Sequence, residues 1–338
     1  MRDIAHQLWE WQCAGVEYAL ATVIDTSGSA PRPPGATMAV SADGQVLGSV
    51  SGGCVEAAVH ELCLDALSSG RAVRRRFGYS DDDAFAVGLT CGGEVEIFVH
   101  PAPGVQLAPA LYALTHDEPV TVLRTLGAQP RTTIVPGEPV DETGWRGGKF
   151  VEAFGSAPRM LIFGAIDYAA ALAGVGRMLG YRVAVCDARP VFATPERFPD
   201  AHEVVVDWPH RYLRSLPVDA RTVVCVLTHD AKFDIPLLEV ALRLPVGYVG
   251  AMGSRRTHAE RLRRLREHGL TERELARLRS PIGLDLGGRT PAETAVSIAA
   301  EIVAVVRGGS AAPLGRTGGA IHRQTAGTQG YRCPEGVS

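Results

Sequence analysis

The pattern of apolar and polar positions divides the chain into two regions with different predicted structures. In the first region, short strand-like segments joined by turns occur at 19–24, 37–40, 46–50 and 94–99, with weaker strand signals at 120–123 and 149–153. Asp43 and Gly44 separate two of these segments and are typical of a hairpin turn. Apolar residues at helical spacing from Val55 to Ala66 predict a helix that Gly70 ends. We therefore expect a mixed α/β domain over residues 1–155.

The second region, residues 156–308, alternates continuous apolar strands with helices. The strands are predicted at 160–165, 182–188, 204–207, 222–227 and 246–249, and a helix from Tyr168 to Leu179 follows the first of them. Thr290, Pro291 and Glu293 form a capping box with proline at the first helical position, which predicts a last helix. This alternation indicates a Rossmann-like parallel sheet with helices on both faces. Residues 309–338 lack periodicity, and we expect a disordered tail there.

Composition and charge narrow the class of protein. With 34 Lys and Arg against 37 Asp and Glu, the net charge of −3 argues against nucleic acid as the main partner. No segment is apolar enough for a membrane span, and the first residues lack the apolar core of a signal peptide, so we expect a cytoplasmic protein. The 7 cysteines are widely spaced without a CxxC pair, which indicates neither a disulfide framework nor a structural zinc site.

Two glycine-rich loops, each with one cysteine, are the strongest candidates for a binding site. The candidate residues of the two loops are Ser51, Gly52, Gly53, Cys54 and Glu56 in the first, and Thr90, Cys91, Gly92 and Gly93 in the second. Cys54 lies at the start of a predicted helix, where unpaired N–H groups and the helix dipole favour a thiolate and also a bound phosphate. The alternative for both cysteines is a small thiol that fills a packing contact.

Further candidates lie in loops of both regions, each with a structural alternative. Arg32 lies in a proline-rich stretch that directs its guanidinium towards an anion, or it is a surface arginine. Gly253, Ser254 and Arg255 begin a predicted helix and form a candidate anion site, whereas the later arginines 261, 263, 264 and 266 are expected on a solvated face. His229 follows a predicted strand, at the end where parallel sheets bind ligands. Asp285, flanked by glycine-containing sequence, is explained nearly as well by a structural loop.

The first strand and helix of the second region suggest dinucleotide binding, but the fingerprint is incomplete. Gly164 is present and Asp187 ends the second strand, about where a ribose-binding acid belongs. Ile166 replaces the middle glycine that lets the backbone approach a pyrophosphate. NAD(P) is therefore an unfavoured cofactor, and an NAD(P)-dependent oxidoreductase is the alternative enzyme hypothesis. A cysteine-dependent hydrolase would need a histidine or acid close to Cys54, which sequence order does not establish.

Taken together, these motifs resemble one protein family. The matching segments are GSAPRPPGA (28–36), GSVSGGCVE (48–56), GLTCGG (88–93), GAIDYAAAL (164–172), GAMGSRR (250–256) and SPIGLDLGGRTPAETAVSIAAEIVA (280–304). They are similar to the XdhC/CoxI family, the accessory proteins of xanthine and carbon monoxide dehydrogenase maturation. The chain departs from the family pattern at Pro33, where a basic residue is usual, and at Ile166 to Tyr168 in the Rossmann turn.

The resemblance implies a function in molybdenum cofactor handling. A member of this family is expected to bind molybdenum cofactor, in the molybdopterin or the cytosine dinucleotide form, to protect it and support its sulfuration, and to transfer it to a molybdenum hydroxylase. It implies a carrier rather than a catalytic enzyme. The thiols of Cys54 and Cys91 are the candidate metal ligands, and a sulfur acceptor is the alternative role of Cys54. We expect the cofactor between the two cysteine loops and the crevice of the second region. The expected partners are the client hydroxylase and a cysteine desulfurase, and a homodimer is a candidate assembly.

Overall fold

The computed structural model describes residues 1–78, 93–102, 104–127, 129–139 and 142–318. Its described residues form two compact units, Met1–Ser156 and Ala157–Thr317. The first unit combines helices with two antiparallel sheets, and the second has one parallel sheet. The predicted α/β class is therefore confirmed. Among the residues described, no helix combines the length and apolarity needed to cross a membrane.

In the first unit, a five-stranded sheet and a four-stranded sheet are accompanied by helices. The described helices are α1 (Ala5–Cys13), α2 (Glu56–Ser69) and α3 (Gly104–Thr115), preceded by a 3₁₀ turn at Arg2–Ile4. The described strands are β1 (Tyr18–Ser27), β2 (Thr37–Ser41), β3 (Val46–Gly48), β4 (Val73–Phe77), β5 (Glu94–Pro101), β6 (Val120–Arg124), β7 (Thr132–Pro136), β8 (Gly144–Arg146) and β9 (Lys149–Phe154). The strand orders are β3-β2-β1-β5-β4 and β7-β6-β9-β8.

Strand β1 is at the centre of the larger sheet and is buried on both faces. Alanines and valines at alternate positions, Ala19, Ala21 and Val23, pack in one core cluster with residues of α2. Leu20, on the opposite face, belongs to a second cluster that includes residues of β6. Gly70 ends α2 in the left-handed conformation at φ +69, as the sequence predicts. Strand β1 thus has helix α2 on one face and residues of the smaller sheet on the other.

The second unit is a six-stranded parallel sheet with an apolar cluster on each face. Its helices are α4 (Asp167–Met178), α5 (Pro209–Ser215), α6 (Ala231–Ala241), α7 (Arg255–Glu267), α8 (Glu272–Leu275) and α9 (Pro291–Arg307). Its strands are β10 (Arg159–Phe163), β11 (Arg182–Asp187), β12 (Glu203–Val206), β13 (Val223–Val226), β14 (Tyr248–Ala251) and β15 (Leu278–Arg279). The order β12-β11-β10-β13-β14-β15 reverses direction between β10 and β13, which is where such sheets form a ligand crevice.

Helix α9 begins as its sequence predicts. The Thr290 hydroxyl accepts a hydrogen bond from the Glu293 N–H at 3.2 Å, and the Glu293 carboxylate accepts one from the Thr290 N–H at 2.9 Å. Gly308 follows the helix in the left-handed conformation. Beyond it, a 3₁₀ turn spans Leu314–Arg316, and residues 319–338 of the expected tail lie outside the described residues.

Candidate functional site

The first cysteine loop is organised by the Glu56 carboxylate, which folds back over the residues before it. Glu56 is the first residue of α2, and its two oxygens accept hydrogen bonds from the backbone N–H groups of Ser51, Gly52 and Gly53 at 2.8–2.9 Å. The Ser49 hydroxyl donates to the same carboxylate at 2.7 Å, and the Ser51 hydroxyl donates as well. The loop amides thus surround an anionic group that belongs to the protein itself.

These hydrogen bonds set the charge state of Glu56. Burial alone would raise the pKa of this carboxyl group, but the donated hydrogen bonds from Ser51, Ser49 and the loop backbone outweigh it and lower the pKa to about 2. Glu56 is therefore ionised throughout the neutral range. The prediction of a phosphate at the start of helix α2 stays a prediction, but the amides of the loop before the helix are already engaged by Glu56.

Cys54 lies on this loop, half-buried against the core cluster under α2. The two glycines before it have positive φ angles, +82 at Gly52 and +124 at Gly53, which few residues with a side chain adopt. A Cβ atom built on either glycine meets no described atom within 4 Å. The thiol therefore lies on a backbone that the Glu56 carboxylate holds in place.

The proline-rich loop with Arg32 packs on the same core cluster as Cys54, through Ala30. The Arg32 guanidinium lies 3.2 Å from the Asp3 carboxylate, and both side chains are partly exposed. Gly93, the last residue of the second cysteine loop, lies against the backbone of the Arg32 loop, since a Cβ there would be 2.7 Å from the Ala30 nitrogen. The rest of that loop, with Thr90, Cys91 and Gly92, lies outside the described residues.

In the second unit, the residues expected to bind a dinucleotide have partners within the protein. Asp187 is buried, accepts a hydrogen bond from the Ala165 N–H at 2.8 Å, and forms a two-pronged ion pair with Arg189 at 2.8–2.9 Å. Position 164 favours glycine for steric reasons, because a Cβ atom there would lie 2.9 Å from the Thr228 nitrogen. Ile166 is half-buried and packs against the core. That this side chain obstructs a pyrophosphate stays a prediction.

The remaining candidates lie at the carboxyl ends of β13 and β14 and in the loop before α9. His229 and Arg255 are exposed, and so is Asp285. Ser254 caps α7, because its hydroxyl accepts a hydrogen bond from the Thr257 N–H at 3.1 Å. Ser254 therefore already supports the helix start, and the charges of Arg255 and of the neighbouring Arg256 face solvent.

The expectation that Arg261 lies on a solvated face is wrong. Its side chain is 3% exposed and lies 2.9 Å from the carboxylate of Asp234 on α6. The other arginines of α7 match the expectation, since Arg263, Arg264 and Arg266 are exposed and paired with glutamates. Arg261 lies four residues before the buried Leu265, and this helical spacing is the sequence signal that could have placed it on the buried face.

The first unit contains a second buried ion pair that sequence reasoning missed. Arg124 of β6 and Glu152 of β9 are each 1% exposed, with 3.1 Å between Arg124 Nη2 and Glu152 Oε2. Within the described part of the chain, neither group makes a hydrogen bond of good geometry, and His100 Nε2 and Thr22 Oγ1 are also buried without a partner. Burial, assisted by the charge of Arg124, lowers the pKa of His100 to about 3, so this imidazole is neutral.

Within the described residues, no group of three or more histidine, cysteine or acidic side chains is arranged to hold a metal ion. Cys54 is thus present as a single soft ligand, and Cys91, the other predicted metal ligand, falls outside these residues. Cys63, Cys186 and Cys225 are buried. Burial raises the pKa of the Cys63 and Cys186 thiols to about 12 and that of Cys225 as well. These three thiols are inert packing groups.

Comparison with known families finds matches in both units. A model of the XdhC and CoxI family matches residues 11–78, and a model of the XdhC Rossmann domain matches residues 160–302. The first match includes Arg32 and the Cys54 loop, and the second includes Gly164, Asp187 and His229.

Similar proteins are known in two bacteria. The chain is 32% identical over 293 residues to the molybdenum cofactor insertion chaperone PaoD of Escherichia coli, covering 86% of this chain and 84% of that protein. It is 28% identical to the uncharacterized protein YqeB of Escherichia coli, covering 89% of this chain but 45% of that protein. It is 26% identical to a Bacillus subtilis protein named as a probable subunit of xanthine dehydrogenase, covering 85% of this chain and 92% of that protein.

A solved structure shares the fold. The crystal structure of a Bacillus halodurans protein described as a xanthine dehydrogenase superposes with a TM-score of 0.72 at 25% sequence identity. The match covers 90% of this chain and 96% of that one.

Proposed function

The chain belongs to the XdhC and CoxI family, and from this membership we propose that it is an accessory protein that binds molybdenum cofactor and inserts it into a molybdenum hydroxylase. Its similarity to a molybdenum cofactor insertion chaperone over most of both chains supports this proposal. A carrier of this kind binds its cargo and transfers it to the client enzyme, so the proposal assigns no catalytic residue.

The observation that carries the proposal is the Cys54 loop. A thiolate is a ligand suited to a soft metal centre, and a dithiolene-bound molybdenum is such a centre. Cys54 is the cysteine that combines partial exposure with a glycine-rich loop, among the residues described. The hydrogen bonds to Glu56 hold the loop that carries the thiol, and the glycines at 52 and 53 have no side chain to keep a pterin away from the backbone.

Arg32 is the residue that we propose for the anionic end of the cofactor. Its present partner, Asp3, is 72% exposed, and surface ion pairs of this type contribute only about 0–1 kcal/mol. A phosphate can therefore replace Asp3 at small cost. The amides around Glu56 are a poorer phosphate site, because a ligand would have to displace a carboxylate that accepts from several donors.

Cofactor binding by matched cysteine variants tests the proposal. Under anaerobic conditions, the unmodified protein should retain molybdenum cofactor at about 50 μM protein, detected by pterin fluorescence and metal analysis. Cys54→Ser exchanges a soft thiolate for a hard hydroxyl of similar size, so retention should fall at least about tenfold while the melting temperature stays within a few degrees. Cys13→Ser is the control, because Cys13 is an exposed thiol at the end of α1.

One result would reject the carrier hypothesis, and a second would reject the role of the Cys54 thiol in it. Absence of cofactor binding by the unmodified protein at this concentration would reject it outright. Full retention by Cys54→Ser would remove the thiol from the site and leave the loop with a backbone role. Sulfuration of the cofactor, with a cysteine desulfurase as sulfur source, is a further part of the proposal. It predicts that Cys54→Ser leaves the client enzyme without its sulfido ligand even when cofactor is delivered.

An NAD(P)-dependent oxidoreductase is the second hypothesis, and the strand order of the second unit favours it. Against it, both Asp187 oxygens accept hydrogen bonds from Arg189 and Ala165, so the carboxylate that would bind a ribose is already engaged. We therefore expect no binding of NAD or NADP in calorimetry at micromolar concentration. A dissociation constant near 1 μM would revive this hypothesis.

A further inference from the structure

Asp234 and Arg261 form a buried ion pair between two neighbouring helices of the second unit. Arg261 Nη2 lies 2.9 Å from Asp234 Oδ2, and the side chains are 3% and 5% exposed. Removing two charges from water is costly, and further hydrogen bonds to both groups offset part of that cost. The positions of those further hydrogen bonds show what the pair does.

Each further hydrogen bond goes to a different loop. Arg261 Nη2 also donates to the Met252 carbonyl at 2.9 Å, and Nη1 donates to the Ser280 hydroxyl at 3.1 Å. Asp234 accepts a hydrogen bond from the Thr228 hydroxyl. Thr228, Met252 and Ser280 follow the adjacent strands β13, β14 and β15. One ion pair therefore ties together three loops at the carboxyl ends of a parallel sheet, where such sheets bind ligands.

The candidate ligand residues of this unit lie next to these three anchors. His229 follows Thr228 directly, and the segment Gly253 to Arg255 follows Met252. Gly164 packs against Thr228 so closely that a Cβ atom would be 2.9 Å from its nitrogen. The ion pair is buried, so it sets the positions of these residues without being able to touch a ligand itself.

We propose that Asp234 and Arg261 are positioning residues, which hold the loops after β13, β14 and β15 in one arrangement and so determine the ligand affinity of that edge. The ligand part of this inference rests on the proposed function. The guanidinium is essential, because its planar fork donates to three acceptors on separate segments. A lysine ammonium retains the charge but not this geometry. Arg261→Lys therefore separates positioning from charge compensation.

Hydrogen exchange of the full chain, measured by mass spectrometry without ligand, tests the positioning role. In Arg261→Lys, exchange in the segments 227–231, 251–255 and 279–283 should rise together by about tenfold or more, with β10 and β11 unchanged. Arg263→Lys is the matched control, since Arg263 lies on the same helix and pairs with exposed glutamates. Exchange equal to that of the control, or a rise confined to one loop, would overturn the inference.

A second variant decides the matter if Arg261→Lys does not fold. Thr228→Val removes one hydroxyl and keeps the shape of the side chain, so the sheet should remain folded. If the three loops are held together by the ion pair, hydrogen exchange in Thr228→Val should rise in the loops after β14 and β15 as well as in the loop after β13. A rise restricted to residues 227–231 would show that the loops are independent, and the inference would fail.

The cofactor titration separates this inference from the proposed function. Faster hydrogen exchange in the three loops, together with at least about tenfold weaker cofactor binding by Arg261→Lys, supports both the positioning role and the proposed function. Looser loops with unchanged cofactor affinity support the positioning role and exclude this edge from the cofactor site. Unchanged loops overturn the positioning role, whatever the affinity.

Discussion

Replacing Glu56 by glutamine should destabilise the first unit in a pH-dependent manner. The Glu56 carboxylate accepts hydrogen bonds from the amides of Ser51, Gly52 and Gly53, and a neutral amide group is a weaker acceptor for them. The glutamine NH₂ group would also face the N–H donors of the loop. Glu56→Gln should therefore loosen the Cys54 loop as well as lower the free energy of unfolding.

The pKa of Glu56 gives the magnitude. A pKa that falls from 4.5 to about 2 on folding corresponds to about 3.4 kcal/mol at ~1.36 kcal/mol per pKa unit. The side chain is only partly buried, and solvent screening reduces this to about 1–2 kcal/mol. Because the folded pKa is depressed, this stabilisation is fully present above pH 4.5 and is lost as the pH falls towards 2.

Urea unfolding at pH 7, 5, 4 and 3 measures the effect. At pH 7 Glu56→Gln should be about 1–2 kcal/mol less stable than the parent. The difference should shrink below pH 4.5, because the carboxylate of the unfolded parent takes up a proton before that of the folded parent does. Glu61→Gln is the control, since this residue of the same helix is 76% exposed and should change stability by less than ~0.5 kcal/mol. Equal stability of Glu56→Gln and parent at pH 7, or a difference that stays constant to pH 3, would refute the reasoning.

Three further outcomes follow from the structure. Gly164→Ala should cost about 2–4 kcal/mol in urea unfolding, because φ is +114 and the new Cβ would lie 2.9 Å from the Thr228 nitrogen. Gly287→Ala is the control and should cost about 1 kcal/mol, because φ is +71 and none of the described atoms outside its chain neighbours lies within 4 Å of the new Cβ. Arg124→Met should cost about 3–5 kcal/mol, because it leaves Glu152 buried and unpaired, and adding Glu152→Leu should recover most of that loss. Iodoacetamide at pH 7 should modify Cys54 well before the buried cysteines, and equal rates would show that the loop shields its thiol.

The elements of the fold that the sequence predicts correctly are those with local signals. Helix α9 has its start encoded by Thr290 and Glu293, which are three residues apart and bond each other's backbone. Gly70 ends α2 because its left-handed conformation is unfavourable for other residues. Helix α6 carries Pro236 in its interior, a residue that normally ends helices, and it was not predicted.

Buried charges were not predicted, because their partners are distant in sequence. Arg124 and Glu152 lie on paired strands, and Arg261 reaches Asp234 across 27 residues. Periodicity alone would have placed two of these side chains inward. Arg124 continues the alternation of the buried Val120 and Val122. Glu152 lies two residues after the buried Phe150, in a strand whose residues 150–152 are all buried. The charge of these side chains predicts exposure, whereas their position along the strands predicts burial. The structure agrees with the position along the strands.

The candidate site shows the same limit of sequence-based prediction, because there too the partner of a charged side chain was not predicted. An acid in the first turn of a helix is expected to face solvent or a ligand, but Glu56 turns back and accepts hydrogen bonds from the amides of the loop before the helix. The consequence is a division of roles within the first unit. The Cys54 loop offers a thiol on a fixed backbone, and Arg32, whose partner Asp3 is largely exposed, offers the charge that a ligand anion can take at small cost. Because the two carboxylates differ so much in how firmly they are held, an anionic ligand should displace Asp3 and leave Glu56 in place.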